Sequence, residues 1–118
     1  MNNIFLLAWM DDWQMSARLA KLSSSYSYEL VFCENGFLLP NSVDQSILII
    51  DLDNVKEDEF HKVRHLKDDE SVFIIGYALD MDGAQIKHYR ELGYDMVLRR
   101  KKLLRNLGTI LQKVLHVY

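Results

Sequence analysis

The chain reads as an α/β three-layer sandwich built on a five-stranded parallel sheet of order 2-1-3-4-5, with its second helix short or absent. Three observations carry this reading. Short apolar runs rich in β-branched and aromatic residues recur along the chain, and such runs suit strands buried on both faces. Stretches with apolar residues at helical spacing separate most of them, which implies right-handed crossovers and a parallel sheet. No Gly-x-Gly-x-x-Gly follows the first run, where Ala8-Trp9-Met10-Asp11-Asp12 stands instead, so a dinucleotide-binding arrangement is disfavoured.

Ile4-Phe5-Leu6-Leu7-Ala8-Trp9 is the first strand. Asp11 or Asp12 caps a helix over residues 12 to 24, with Met15, Leu19 and Leu22 on its buried side. Tyr28 to Cys33 is the second strand, and Glu34-Asn35-Gly36 is turn chemistry. Phe37-Leu38-Leu39 could begin a helix, but Pro40 interrupts it, so residues 37 to 45 form a single turn or an irregular loop. Ser46-Ile47-Leu48-Ile49-Ile50-Asp51 is the central strand, and it runs straight into a carboxylate. Asp53-Asn54 opens a turn before an amphipathic helix over about 56 to 67, marked by Phe60, Val63 and Leu66.

Val72 to Tyr77 is the fourth strand. Asp82 caps a helix whose buried side is Ile86, Tyr89 and Leu92 and which Gly93 terminates. Met96-Val97-Leu98 is a short fifth strand, and Leu103, Leu104, Leu107, Ile110, Leu111 and Val114 form a helical stripe behind it. The sum is a flavodoxin-like order, in which ligands meet the carboxyl ends of the strands. Asp51 falls at such an end.

A length of 118 residues suits one domain, 1–118, with a real core. The net charge of −3 gives the whole molecule no preference for nucleic acid. One cysteine, Cys33, excludes an internal disulfide framework and fits a reducing compartment. The run from Ile4 to Met10 is too short to span a membrane and lacks a basic flank, so it is neither a span nor a signal peptide. A cytoplasmic protein without membrane association is expected.

Several pieces in order carry a family resemblance: Met10-Asp11-Asp12 after strand one, Tyr28-Glu29-Leu30-Val31 opening strand two, and Asn35-Gly36 after it. Ile47-Leu48-Ile49-Ile50-Asp51 closes strand three, and Leu92-Gly93-Tyr94-Asp95 precedes strand five. Over essentially its whole length the chain resembles the receiver domain of two-component response regulators. The resemblance implies a phosphoacceptor aspartate ending strand three and two acids after strand one that hold Mg²⁺. It also implies a Ser or Thr ending strand four and a Lys ending strand five, both on the phosphoryl oxygens. The chemistry is general: a carboxylate attacking phosphorus needs a cation and fixed donors for the developing charge.

By this resemblance Asp51 is the phosphoacceptor equivalent. Met10 falls on the first acid and Asp11 on the second, with Asp12 next, so Asp11 and Asp12 are the residual metal ligands. Asp53 is a substitute ligand if the strand stops before it. The strand-four position is Ala78, or Gly76 if that strand is shorter, and neither carries a hydroxyl. Arg100 aligns with the lysine and Lys101 with the proline that follows it, while Val97 takes the aromatic switch position. These departures point to a degenerate receiver, or pseudo-receiver, with no catalytic residue, no enzyme activity of its own and no cofactor. The alternative is a working phosphoacceptor in a phosphorelay, with Asp51 as nucleophile, Mg²⁺ on Asp11 and Arg100 on the phosphoryl group.

The implied partners are a histidine kinase or an effector. The resemblance places them on the face of the helix before strand five, strand five and the last helix, and allows a homodimer there. In this sequence that face carries Lys87, His88, Arg90, Glu91, Arg99 and Lys102. The basic run Arg99-Arg100-Lys101-Lys102 with Arg105 fits an acidic protein better than nucleic acid, given the net charge. His61 and His65 have metal-ligand spacing, but no third ligand is fixed nearby, so a solvated face is expected. Trp9, Trp13, Phe37 and Tyr77 lie near the carboxyl edge, either filling the phosphorylation pocket or serving as core, with core preferred.

Overall fold

Parallel pairing of buried apolar strands accounts for the architecture of the computed structural model, which describes residues 4–33, 46–54 and 72–117. The strands are β1 (Phe5–Trp9), β2 (Glu29–Phe32), β3 (Ser46–Asp51), β4 (Val72–Ala78) and β5 (Met96–Arg99). They form one sheet of order β2-β1-β3-β4-β5, and every adjacent pair is parallel. Three helices are described: α1 (Trp13–Tyr26), α2 (Gly83–Glu91) and α3 (Arg100–Val117). The expected sheet and layers are those observed. The segment where a second helix would be short or absent, the expected helix over 56 to 67, and Phe37, His61 and His65 all lie outside the described residues.

Alternation along the strands sends side chains to two cores. On one face Leu6, Ala8, Ile47, Ile49 and Ile75 meet Met15 and Leu19 of α1 and Leu103, Leu107 and Leu111 of α3. On the other, Leu7, Leu48, Ile50, Ile74 and Val97 pack with Tyr94, and Ile86 and Tyr89 of α2 cover them. β3 is buried at every position because it lies in the middle of the sheet.

Two helix ends explain how the chain reaches the carboxyl edge. Asp12 caps α1, its Oδ1 accepting the Met15 N–H at 3.1 Å. Asp82 caps α2 in a reciprocal box with Gln85, at 2.8 and 2.9 Å. The last helix carries the expected stripe, with Leu103, Leu107, Leu111 and Val114 buried. It starts at Arg100, directly after β5. Trp13 is not core as expected: it is 85% exposed, because it is the first residue of α1 and lies off the Met15–Leu19 stripe. Trp9 and Tyr77 are buried. Among the described residues no helix is long and apolar enough to cross a membrane.

Candidate functional site at the carboxyl edge

The register of β1, β3 and β4 brings Trp9, Ile50 and Gly76 into line, so the segments that follow share one edge. Asp51, last in β3 and paired with Tyr77, is only 4% exposed. Its Oδ1 accepts the Asp53 N–H at 3.1 Å, and its Oδ2 accepts from the Asn54 amide. Burial raises the Asp51 pKa, those two donors oppose the rise, and the charges of Asp53 and Asp12 add to it. The strand stops at Asp51, which frees Asp53 from the pleat. The Asp53 carboxylate turns to β4 and accepts the Leu79 N–H at 2.8 Å.

Asp12 is the hub of the edge. Arg100 Nε donates to its Oδ2 at 2.9 Å and Arg100 Nη2 to its Oδ1 at 3.1 Å. Arg100 Nη2 also donates to Gln14 Oε1 at 2.8 Å. The Tyr77 hydroxyl donates to Asp12 Oδ2 at 3.0 Å and lies 3.8 Å from Met10 Sδ. The guanidinium holds the Asp12 carboxyl below its ordinary pKa; burial opposes this, and the Met15 N–H and Tyr77 hydroxyl assist. Burial first, then the charges of Asp51 and Asp12, push the Tyr77 phenol far up, so it acts only as a neutral donor.

The sequence-derived residues thus separate. Asp12, Arg100 and Tyr77 are brought into contact. Asp11 is exposed and makes no hydrogen bond or ion pair among the described residues. Ala78 closes β4 as a buried residue without a polar side chain. Gly76 lies beneath the Tyr94 ring, where a Cβ would meet it at 2.8 Å. Lys87, His88, Arg90 and Glu91 are exposed on α2, but only Arg90 shares a groove with Arg99 and Lys102. Arg99 Nε is held by the Met81 carbonyl at 3.1 Å. Sequence reasoning missed Gln14 and Asn54 as partners and did not assign Tyr77 to Asp12, a contact spanning 65 residues with no local signal.

A divalent cation of the kind the resemblance implies does not fit these side chains. Both Asp12 oxygens face a guanidinium, and Asp51 faces an N–H and an amide. Arg100 supplies the positive charge that a metal would bring. Among the described residues no three His, Cys, Asp or Glu side chains are gathered for a metal ion.

No family profile and no curated protein matches the chain by sequence. Solved structures do match in fold. The beryllofluoride-activated DrrB receiver domain superposes with a TM-score of 0.73 at 14% identity, covering 98% of this chain and 99% of its own. The CpaE protein of Burkholderia thailandensis, named for pilus assembly, gives 0.69 at 19% identity, over 96% and 97%. The Mn²⁺-bound response regulator Rcp1 gives 0.65 at 15% identity, over 95% and 91%. With its five parallel strands in the order 2-1-3-4-5, this chain has the receiver-domain fold of response regulators.

Proposed function

We propose that the chain is a pseudo-receiver: a signalling module that acts in the cytoplasm through protein–protein contacts, without Asp phosphorylation and without enzyme activity. The observation that carries this reading is the two-point ion pair of Arg100 with Asp12, joined by the Tyr77 hydroxyl. It places a tethered cation against the acid that would otherwise be a metal ligand. The absence of a hydroxyl at Ala78 adds support, since a phosphoryl oxygen would lack that donor. The partner is a histidine kinase or an effector, and Arg90, Arg99 and Lys102 belong to the face that meets it.

A two-dimensional NMR titration with Mg²⁺ and then beryllofluoride tests the reading. The expected result is no saturable shift at Asp11, Asp51 or the Trp13 indole. Saturable shifts centred on Asp51, lost in Asp51→Ala, would overturn it and make Asp51 a working phosphoacceptor.

A further inference from the structure

Asp12 has no acceptor site to spare. A carboxylate offers about four lone-pair sites. Its Oδ1 accepts the Met15 N–H at 3.1 Å and Arg100 Nη2 at 3.1 Å. Its Oδ2 accepts Arg100 Nε at 2.9 Å and the Tyr77 hydroxyl at 3.0 Å. The donors come from α1, β4 and α3, so three elements meet on one side chain.

The other acids of this edge are short of positive charge. Asp51 is buried, and it accepts from the Asp53 N–H and the neutral Asn54 amide. The Asp53 carboxylate accepts the Leu79 N–H. Arg100 brings a cation to them. Its hydrogen bond to Asp12 raises its pKa, burial opposes this, and the charges of Asp12 and Asp51 assist. The guanidinium therefore stays charged, and its field reaches both acids. Gln14 Oε1 fixes its Nη2 further, at 2.8 Å.

A free divalent cation would have to break two charge-assisted hydrogen bonds and shed part of its hydration to reach Asp12. Arg100 is held in place by the helix that it begins, and a tethered group competes at high effective concentration. We infer that Arg100 is a resident cation, which keeps α1, β4 and α3 joined at Asp12 whatever the divalent-cation concentration. The inference deepens the pseudo-receiver reading by naming the residue that makes its edge indifferent to metal. A rival cause is Met10, which puts a thioether, 3.8 Å from the Tyr77 hydroxyl, where the resemblance implies an acid.

Thermal unfolding of the full chain in MgCl₂, against NaCl of equal ionic strength, separates the two causes. The parent should melt at the same temperature in both salts. Arg100→Met should melt lower, and MgCl₂ should raise its midpoint by about 2 °C or more over NaCl, as the ion compensates the missing charge. Arg100→Gln keeps a donor without the charge and should respond in the same way, so it carries the test if Arg100→Met does not fold. Adding Asp12→Asn to either variant should abolish the response. A parent that MgCl₂ stabilises overturns the inference, and so does a response that survives Asp12→Asn. Arginine variants that ignore MgCl₂ also overturn it and assign the indifference to Met10. That last result, with a flat beryllofluoride titration of the parent, leaves the pseudo-receiver reading in place. Saturable beryllofluoride shifts at Asp51 in the parent remove that reading itself.

Discussion

Arg100 grips Asp12 at two points, Nε to Oδ2 at 2.9 Å and Nη2 to Oδ1 at 3.1 Å, across 88 residues of sequence. The pair ties the start of α3 to the start of α1, because Arg100 is the first residue of one helix and Asp12 caps the other. Asp12→Ala removes a cap and the carboxylate to which Tyr77 and Arg100 donate, leaving Arg100 with Gln14 alone, so it should destabilise by about 2–3 kcal/mol. Asp12→Asn keeps the cap and should lose less. Tyr77→Phe should cost about 1 kcal/mol. Urea unfolding of the three variants checks the order, and an Asp12→Ala variant as stable as the parent would contradict it.

The pH dependence of stability should have two opposing parts. Asp12 has a lowered folded pKa, so its contribution is present above the ordinary value of 3.8 and is lost as pH falls through the folded pKa. Asp51 has a raised folded pKa, so the folded state favours its protonated form, and that contribution is lost as pH rises from 3.8 through the folded pKa. Asp12→Asn should therefore flatten the acid side of the stability curve. Asp51→Asn should flatten the decline above 3.8 and gain relative stability at neutral pH. Urea midpoints measured across the acidic range distinguish the two.

Gly76 and Tyr94 form a fitted pair. A Cβ at Gly76 would lie 2.8 Å from Tyr94 Cδ2 and Cε2 and 3.1 Å from Leu52 Cδ1. Gly76→Ala should cost about 1–3 kcal/mol by overpacking, and pairing it with Tyr94→Leu should recover part of the loss. Tyr94→Phe alone should be neutral or stabilising, since the buried Tyr94 hydroxyl has no partner among the described residues. A double-mutant cycle reads the coupling.

The two tryptophans should report different environments. Trp13 is exposed and Trp9 is buried against β3 and its neighbours. Trp13→Phe should remove the red-shifted, quencher-accessible part of the fluorescence and change stability by no more than about 0.5 kcal/mol. Trp9→Phe should cost more and leave the accessible component. Iodide quenching of each single variant checks the assignment.

The sequence by itself determined the strands, their order and the place of Asp51. Apolar runs and helical stripes are local signals, and parallel crossovers leave few ways to stack them. It also identified Asp12 as a possible cap and Arg100 as the residue in the lysine's place. The tertiary structure decided what those residues do. Asp12 meets Arg100 and Tyr77 only because β1, β4 and β5 end at one edge, and pairwise contacts across 65 and 88 residues leave no periodic trace in the chain. The same holds for Asp53, whose turn toward Leu79 follows from where β3 stops. Exposure of Trp13 and the close fit of Gly76 under Tyr94 were likewise beyond composition and pattern, because hydrophobicity ranks a residue's tendency to be buried while packing geometry decides whether it is.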